Sequence, residues 1–152
     1  FNVITIAEAH AALKESAALP DKAVLITIDD AYLSVYEAGY PLFQEYGFPF
    51  TVFVATDAVD DGYNAYMSWD QMREMEANGV TFANHGATHT SLLDVKEGES
   101  EGEWLARVAS DVDKGQQRLS EELNPIPDSF AYPYGEYDAR VAKIMIDSGY
   151  IS

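Results

Sequence analysis

Apolar positions along this chain change period repeatedly, and the changes mark out its elements. Thr5 followed by Glu8 has the form of a capping box, and the Ala-rich stretch behind it predicts a helix to about Ala18. Pro20 and Asp21 then turn the chain into the apolar run AVLITI (23–28), which reads as a buried strand. A helical stretch follows Asp29 and Asp30 and stops at Gly47, and FTVFVA (50–55) predicts a second strand rich in β-formers. Ser68 and Gln71 form another capping box, for a helix that Asn78 and Gly79 end, and VTFAN (80–84) is a third strand. Trp104, Leu105, Val108, Val112, Leu119 and Leu123 recur mainly at spacings of three and four, the buried face of a long helix closed by Pro125 and Pro127. Ser129 to Tyr132 predicts a fourth strand. Residues 138–148 predict a last helix with Val141, Ile144 and Met145 inward, and 150–152 the start of a fifth strand. The stretch Asp94 to Glu103 is expected to be an acidic surface loop.

Strands separated by helices run parallel, because each crossover returns the chain to the same direction. The result is an α/β fold, either an open sheet or a (β/α) barrel. In such folds the working residues follow the carboxyl ends of strands. Asp29 and Asp30 follow the first strand here, His85 the third, and Pro133 and Tyr134 the fourth.

Composition narrows the partners. The chain has 152 residues, suited to one domain, and 47% of them are apolar, enough for a packed core. A net charge of −17 repels a phosphate backbone or an anionic membrane, so nucleic acid is not expected as a partner. There is no cysteine, which excludes disulfides and thiolate metal sites, and no apolar run approaches the ~18 residues of a membrane span.

Two adjacent carboxylates at a strand end repel one another unless a cation or several donors compensate, although an Asp pair also suits a helix cap. The segment His85-Gly-Ala-Thr-His89 carries two of the three histidines. Its spacing lets both imidazoles approach one ion. With Asp30 they make a two-His, one-carboxylate set that leaves coordination positions open; a non-haem iron oxygenase uses the same set, but on antiparallel sheets. His10, alone on the first helix, has a structural role. Tyr32, Tyr63, Tyr66, Trp69, Tyr132 and Tyr137 lie near strand ends, where aromatic faces stack on sugars or simply pack. Asp57 suits a helix cap or a contact to a substrate hydroxyl.

ITIDDAY (26–32), HGATHTSL (85–92) and FAYPYGEYD (130–138) resemble, in order and spacing, the first three motifs of the NodB-type polysaccharide deacetylases of carbohydrate esterase family four. The third motif is most similar to the branch acting on biofilm poly-β-1,6-N-acetylglucosamine. The resemblance implies a partial or distorted (β/α) barrel spanning residues 1–152 and C-terminally incomplete. It implies Asp29 as base, Asp30, His85 and His89 as ligands of a divalent metal, foremost Zn²⁺ with Ni²⁺, Co²⁺ or Fe²⁺ as alternatives, and the Tyr134 backbone N–H as oxyanion donor. Tyr32, Tyr132 and Pro133 are implied to line the site for an N-acetylated polysaccharide, at an extracytoplasmic location. Three positions depart from the pattern. Ala31 stands in place of Gly, Gly86 in place of a bracing Ser or Thr, and Ala131 where many members carry an Arg that pairs with the base. The family's general-acid histidine is expected after residue 152, which makes these residues alone weak or inactive. A catalytically silent glycan-binding module of the same fold is the alternative.

Overall fold

The computed structural model describes residues 1–151. Among the described residues there are five strands, β1 (Asn2–Ile4), β2 (Ala23–Leu25), β3 (Thr27–Ile28), β4 (Thr51–Val54) and β5 (Thr81–Asn84). All strand pairs are parallel, β1 with β2 and, in a second sheet, β3 with β4 and β4 with β5. The helices are α1 (Ile6–Glu15), α2 (Tyr40–Tyr46), α3 (Thr56–Asp60), α4 (Trp69–Ala77), α5 (Glu101–Glu122) and α6 (Ala139–Asp147). The expected α/β fold of parallel strands is therefore present.

Both anticipated capping boxes form. Thr5 accepts from Glu8 N and Ser68 from Gln71 N, while each partner side chain accepts from the cap's own backbone N–H. A third box, Ser100 with Glu103, opens α5, so the last residues of the supposed acidic loop are helical. Helix α1 stops at Glu15 rather than Ala18, because Ser16 turns left-handed at φ 55°. Before α2, Val35–Gly39 widens into a π-helical segment. Pro41 explains this: it lacks an N–H and its ring crowds the carbonyl four residues back, and a wider turn relieves both.

The run 23–28 is not one buried strand. It breaks at Ile26, with its first half on β1 and its second on β4, and Val24 and Leu25 stay 37% exposed. Its early partner β1, only three residues long, is an unforeseen element. Ser129–Tyr132 reduces to a single parallel bridge, Phe130 to Asn84. Tyr150 and Ile151 extend no strand, although Ile151 N–H donates to the Asp128 carbonyl; Ser152 lies outside the described residues.

Strands β4 and β5 are covered on both faces, which is why β4 (TVFV) reads as a near-continuous apolar run, while β5 (TFAN) buries the polar Asn84 beside Phe82 and Ala83. Val52, Val54 and Phe82 pack with Met72, Met75, Leu119 and Leu123 on one side. The alternate residues Phe53 and Ala83 meet Ile6 on the other. Trp104, Val108 and Val112 of α5 pack with Phe130, Val141 and Met145. Helix α5 thus lies along the sheet with one face turned toward the loop that follows β5.

Candidate metal centre

The ends of β3 and β5 supply the cluster. After β3 the backbone enters the left-handed region at two successive residues, Asp30 at φ 72° and Ala31 at φ 58°. Such a path suits glycine, which explains why the related motif favours Gly at position 31. Here the Ala31 methyl is fully buried, and the turn is held by Met67 N–H to Ala31 O and Leu33 N–H to Ala65 O.

After β5, His85 N–H donates to Val54 O, and its ring is 2% exposed. The imidazole Nδ1 lies 2.7 Å from the Ala131 carbonyl. A carbonyl only accepts, so Nδ1 carries the proton and Nε2 presents a lone pair. That lone pair faces Asp30 Oδ1 at 3.5 Å, and His89 Nε2 approaches the same oxygen at 2.9 Å. His89 sits at φ 54°, with its ring edge-on to Tyr134 at 4.9 Å.

Asp30 Oδ1 is buried and receives no hydrogen bond among the described residues. A desolvated carboxylate oxygen facing an imidazole lone pair is repulsive unless a cation lies between them. Two ligands about 2.1 Å from a tetrahedral ion stand about 3.4 Å apart. The ligand atoms of Asp30, His85 and His89 all lie within 4.8 Å of one another, so donor set and spacing both fit a divalent ion.

Asp29 is exposed at the same strand end. Tyr134 caps a tight turn at φ 60°, ψ 6°, over the buried Pro133. Tyr32 stacks on Tyr66 with centroids 5.0 Å apart. A hydrogen bond to Tyr66, and then the Asp30 charge, hold the Tyr32 phenol above its ordinary pKa. Tyr132 stacks on Tyr137 at 4.7 Å, and burial, then Tyr137, raises its pKa.

Other expected residues are drawn elsewhere. Trp69 donates to Asp60 and lies under Arg118, a packing role. Asp57 neither caps α3, whose cap is Ala55, nor stands free; Lys114 holds it at 2.7 Å. His10 lies 2.8 Å from the Ser129 hydroxyl, the structural role expected of it.

The family model for polysaccharide deacetylases matches residues 16–151. The chain belongs to the polysaccharide deacetylase family. Its curated relatives include a poly-β-1,6-N-acetyl-D-glucosamine N-deacetylase of Staphylococcus aureus, 27% identical over 126 residues, which are 80% of this chain and 43% of that protein. Among solved structures, the deacetylase PplD of Streptococcus pyogenes in complex with acetate has the same fold. Its TM-score is 0.88 at 24% identity, over 98% of this chain and 62% of that one. IcaB from Ammonifex degensii superposes with TM-score 0.82 at 29% identity, over 98% and 66%. The chain spans half or less of the curated relatives it matches.

Two residues of this family member escaped sequence reasoning. Asn84 is fully buried; its Nδ2 donates to Val112 O and to the Tyr150 hydroxyl, and its Oδ1 accepts from Gly86 N–H, tying the start of the histidine loop to α5. Gly115 lets α5 come close enough for this, because a Cβ there would lie 2.6 Å from Asn84 Oδ1 and 2.8 Å from the Gly86 carbonyl carbon. Neither has a local signature, since each acts across the packing of α5 on the loop.

Proposed function

We propose that this chain carries the metal-binding half of a polysaccharide N-deacetylase that removes acetyl groups from an N-acetylglucosamine polymer. The observation that supports it most is the His85 lone pair, fixed by the Ala131 carbonyl, converging with His89 on the unsatisfied Asp30 oxygen. Asp30, His85 and His89 would hold the ion, with Zn²⁺ the best match to the donor set. A divalent ion there supplies a lowered pKa to water and polarises the acetyl carbonyl.

Asp29, exposed beside the cluster, takes a proton from the attacking water as its oxygen bonds to the acetyl carbon. The Tyr134 N–H donates to the carbonyl oxygen as charge gathers there, one such donor being worth about 2.7–4 kcal/mol of barrier. The C–N bond then breaks, the nitrogen takes up a proton, and acetate and a free amine leave. His10, engaged with Ser129, is remote from this chemistry and is not the acid that protonates the amine. Tyr32 and Tyr132, with Pro133, flank the cluster as surfaces for sugar rings. Such an enzyme works on polymer outside the cytoplasm.

The test is acetate release from β-1,6-linked N-acetylglucosamine oligomers by the full-length protein, stripped of metal and reloaded with Zn²⁺. Reloading restores release, and Asp29→Asn lowers it about 10²- to 10⁴-fold. Release that survives stripping, or is unchanged in Asp29→Asn, sinks the proposal. Oligomer binding with no acetate from any metal-loaded form favours a silent glycan-binding module.

A further inference from the structure

The segment between the two histidines is braced from α5. Asp111 Oδ2 accepts from Ala87 N–H at 3.1 Å, and Oδ1 accepts from Thr88 N–H at 3.1 Å and from the Thr88 hydroxyl at 2.7 Å. A single half-buried carboxylate thus uses both oxygens on two successive amides, with charge-assisted bonds. We propose that Asp111 is a positioning residue for the metal ligands, holding the 85–89 loop on the one path that brings both imidazoles to Asp30. This inference rests on the metal-site reading above.

Two features of the loop argue for it. His89 lies in the left-handed region, a strained conformation for a side-chain-bearing residue that persists only where its surroundings hold it. Between the histidines, the backbone is otherwise tied at Gly86 and Ala87, by Gly86 N–H to Asn84 Oδ1, Thr56 N–H to Gly86 O and Asp57 N–H to Ala87 O, while the Thr88 hydroxyl also meets that of Thr90 at 2.9 Å. Asp111 takes the two amides immediately before His89. Gly86 is the complement of this arrangement, since a Cβ on it would stand 2.7 Å from Asp111 Oδ2 and push the carboxylate away. Where a hydroxyl at position 86 would brace the loop from within, this chain leaves that position bare and braces it from the helix.

The experiment measures Zn²⁺ affinity by chelator competition in the wild type, Asp111→Ala, Asp111→Asn and Val141→Ala. The last removes packing against α5 from the α6 side without touching the loop. Hydrogen exchange at Ala87 and Thr88 is followed in the metal-free proteins. Asp111→Ala is expected to weaken Zn²⁺ about 10- to 100-fold, as loss of an outer-sphere partner does. Its two amides should exchange faster. Asp111→Asn, which keeps one acceptor oxygen, should fall between and carries the test if the alanine variant does not fold. Val141→Ala should lower thermal stability and leave affinity alone. Tight binding in the wild type with an unchanged affinity in both Asp111 variants overturns this inference alone, as does an equal loss in Val141→Ala. A wild type that binds no Zn²⁺ overturns the metal reading and this inference with it.

Discussion

Replacing Gly115 by alanine sets two effects of opposite sign against each other. In the interior of a 22-residue helix, Gly→Ala gains about 1 kcal/mol of helix propensity. Against that, the new methyl would stand 2.6 Å from Asn84 Oδ1, 2.8 Å from the Gly86 carbonyl carbon and 3.0 Å from its oxygen, two of them backbone atoms with little room to give. Overpacking of this kind costs about 1–3 kcal/mol. If Asn84 turns away instead, Gly86 N–H loses its buried acceptor, for about 1–3 kcal/mol more. With the propensity gain set against it, the clash leaves a net loss of up to about 2 kcal/mol if Asn84 keeps its place and about 1–5 kcal/mol if it turns away, at about 2–4 °C in Tm per kcal/mol for a domain of this size. Gly102 is the internal control: it lies in the same helix, a Cβ there meets nothing within 4 Å, and Gly102→Ala should be neutral or stabilising by up to about 1 kcal/mol. Urea unfolding followed by circular dichroism reads both. A Gly115→Ala protein as stable as Gly102→Ala would refute the close approach of α5 to the histidine loop.

Three further outcomes follow from the fold. The hydrogen bond from Arg107, with the Lys96 N–H, holds the Glu99 carboxyl near a pKa of about 2, against an ordinary 4.5. Its stabilising effect is therefore complete above the ordinary value and lost as pH falls toward 2. The urea midpoint of Glu99→Gln should lie below wild type by a constant amount above pH 5, with the gap closing toward pH 2; a gap that persists there contradicts the assignment. Burial pushes the Tyr150 phenol up to about 12. Between pH 10 and 12 the unfolded chain loses this proton and the folded chain keeps it, so Tyr150 contributes to a fall in stability on that interval; in Tyr150→Phe the alkaline fall should be shallower, and an equal slope speaks against it. Asp138 caps α6 through the N–H groups of Arg140 and Val141, so Asp138→Ala should cost about 1 kcal/mol in thermal unfolding while Asp138→Asn keeps most of it.

What was legible in the sequence is what is local. The boxes Thr5–Glu8 and Ser68–Gln71 act within four residues, and both form. Strands β4 and β5 announce themselves because burial on both faces favours the short apolar stretches VFV (52–54) and FA (82–83) within them. The run 23–28 misleads because a mostly apolar stretch rich in Val, Ile and Thr does not tell whether one partner or two will pair with it, and two do. The bridge at Phe130 is a fragment of a strand for a similar reason, since pairing depends on distant edges. At the site, the DD and HGATH motifs place Asp30, His85 and His89, and the structure brings their ligand atoms together. Asn84, Asp111 and Gly115 stay hidden because most of their partners lie 23 to 66 residues away and meet them only when the chain has packed around the loop. Ala131 looks like a loss at the level of side chains, yet its carbonyl fixes the tautomer of His85.

The division of labour between adjacent aspartates is the centre of this account, and metal stoichiometry tests it most directly. Elemental analysis after equilibration with excess Zn²⁺ and desalting should find one ion per chain in the wild type and in Asp29→Asn. Asp30→Ala, His85→Ala and His89→Ala should each retain far less. Ion retained by all three ligand variants, or lost in Asp29→Asn as in Asp30→Ala, would contradict it.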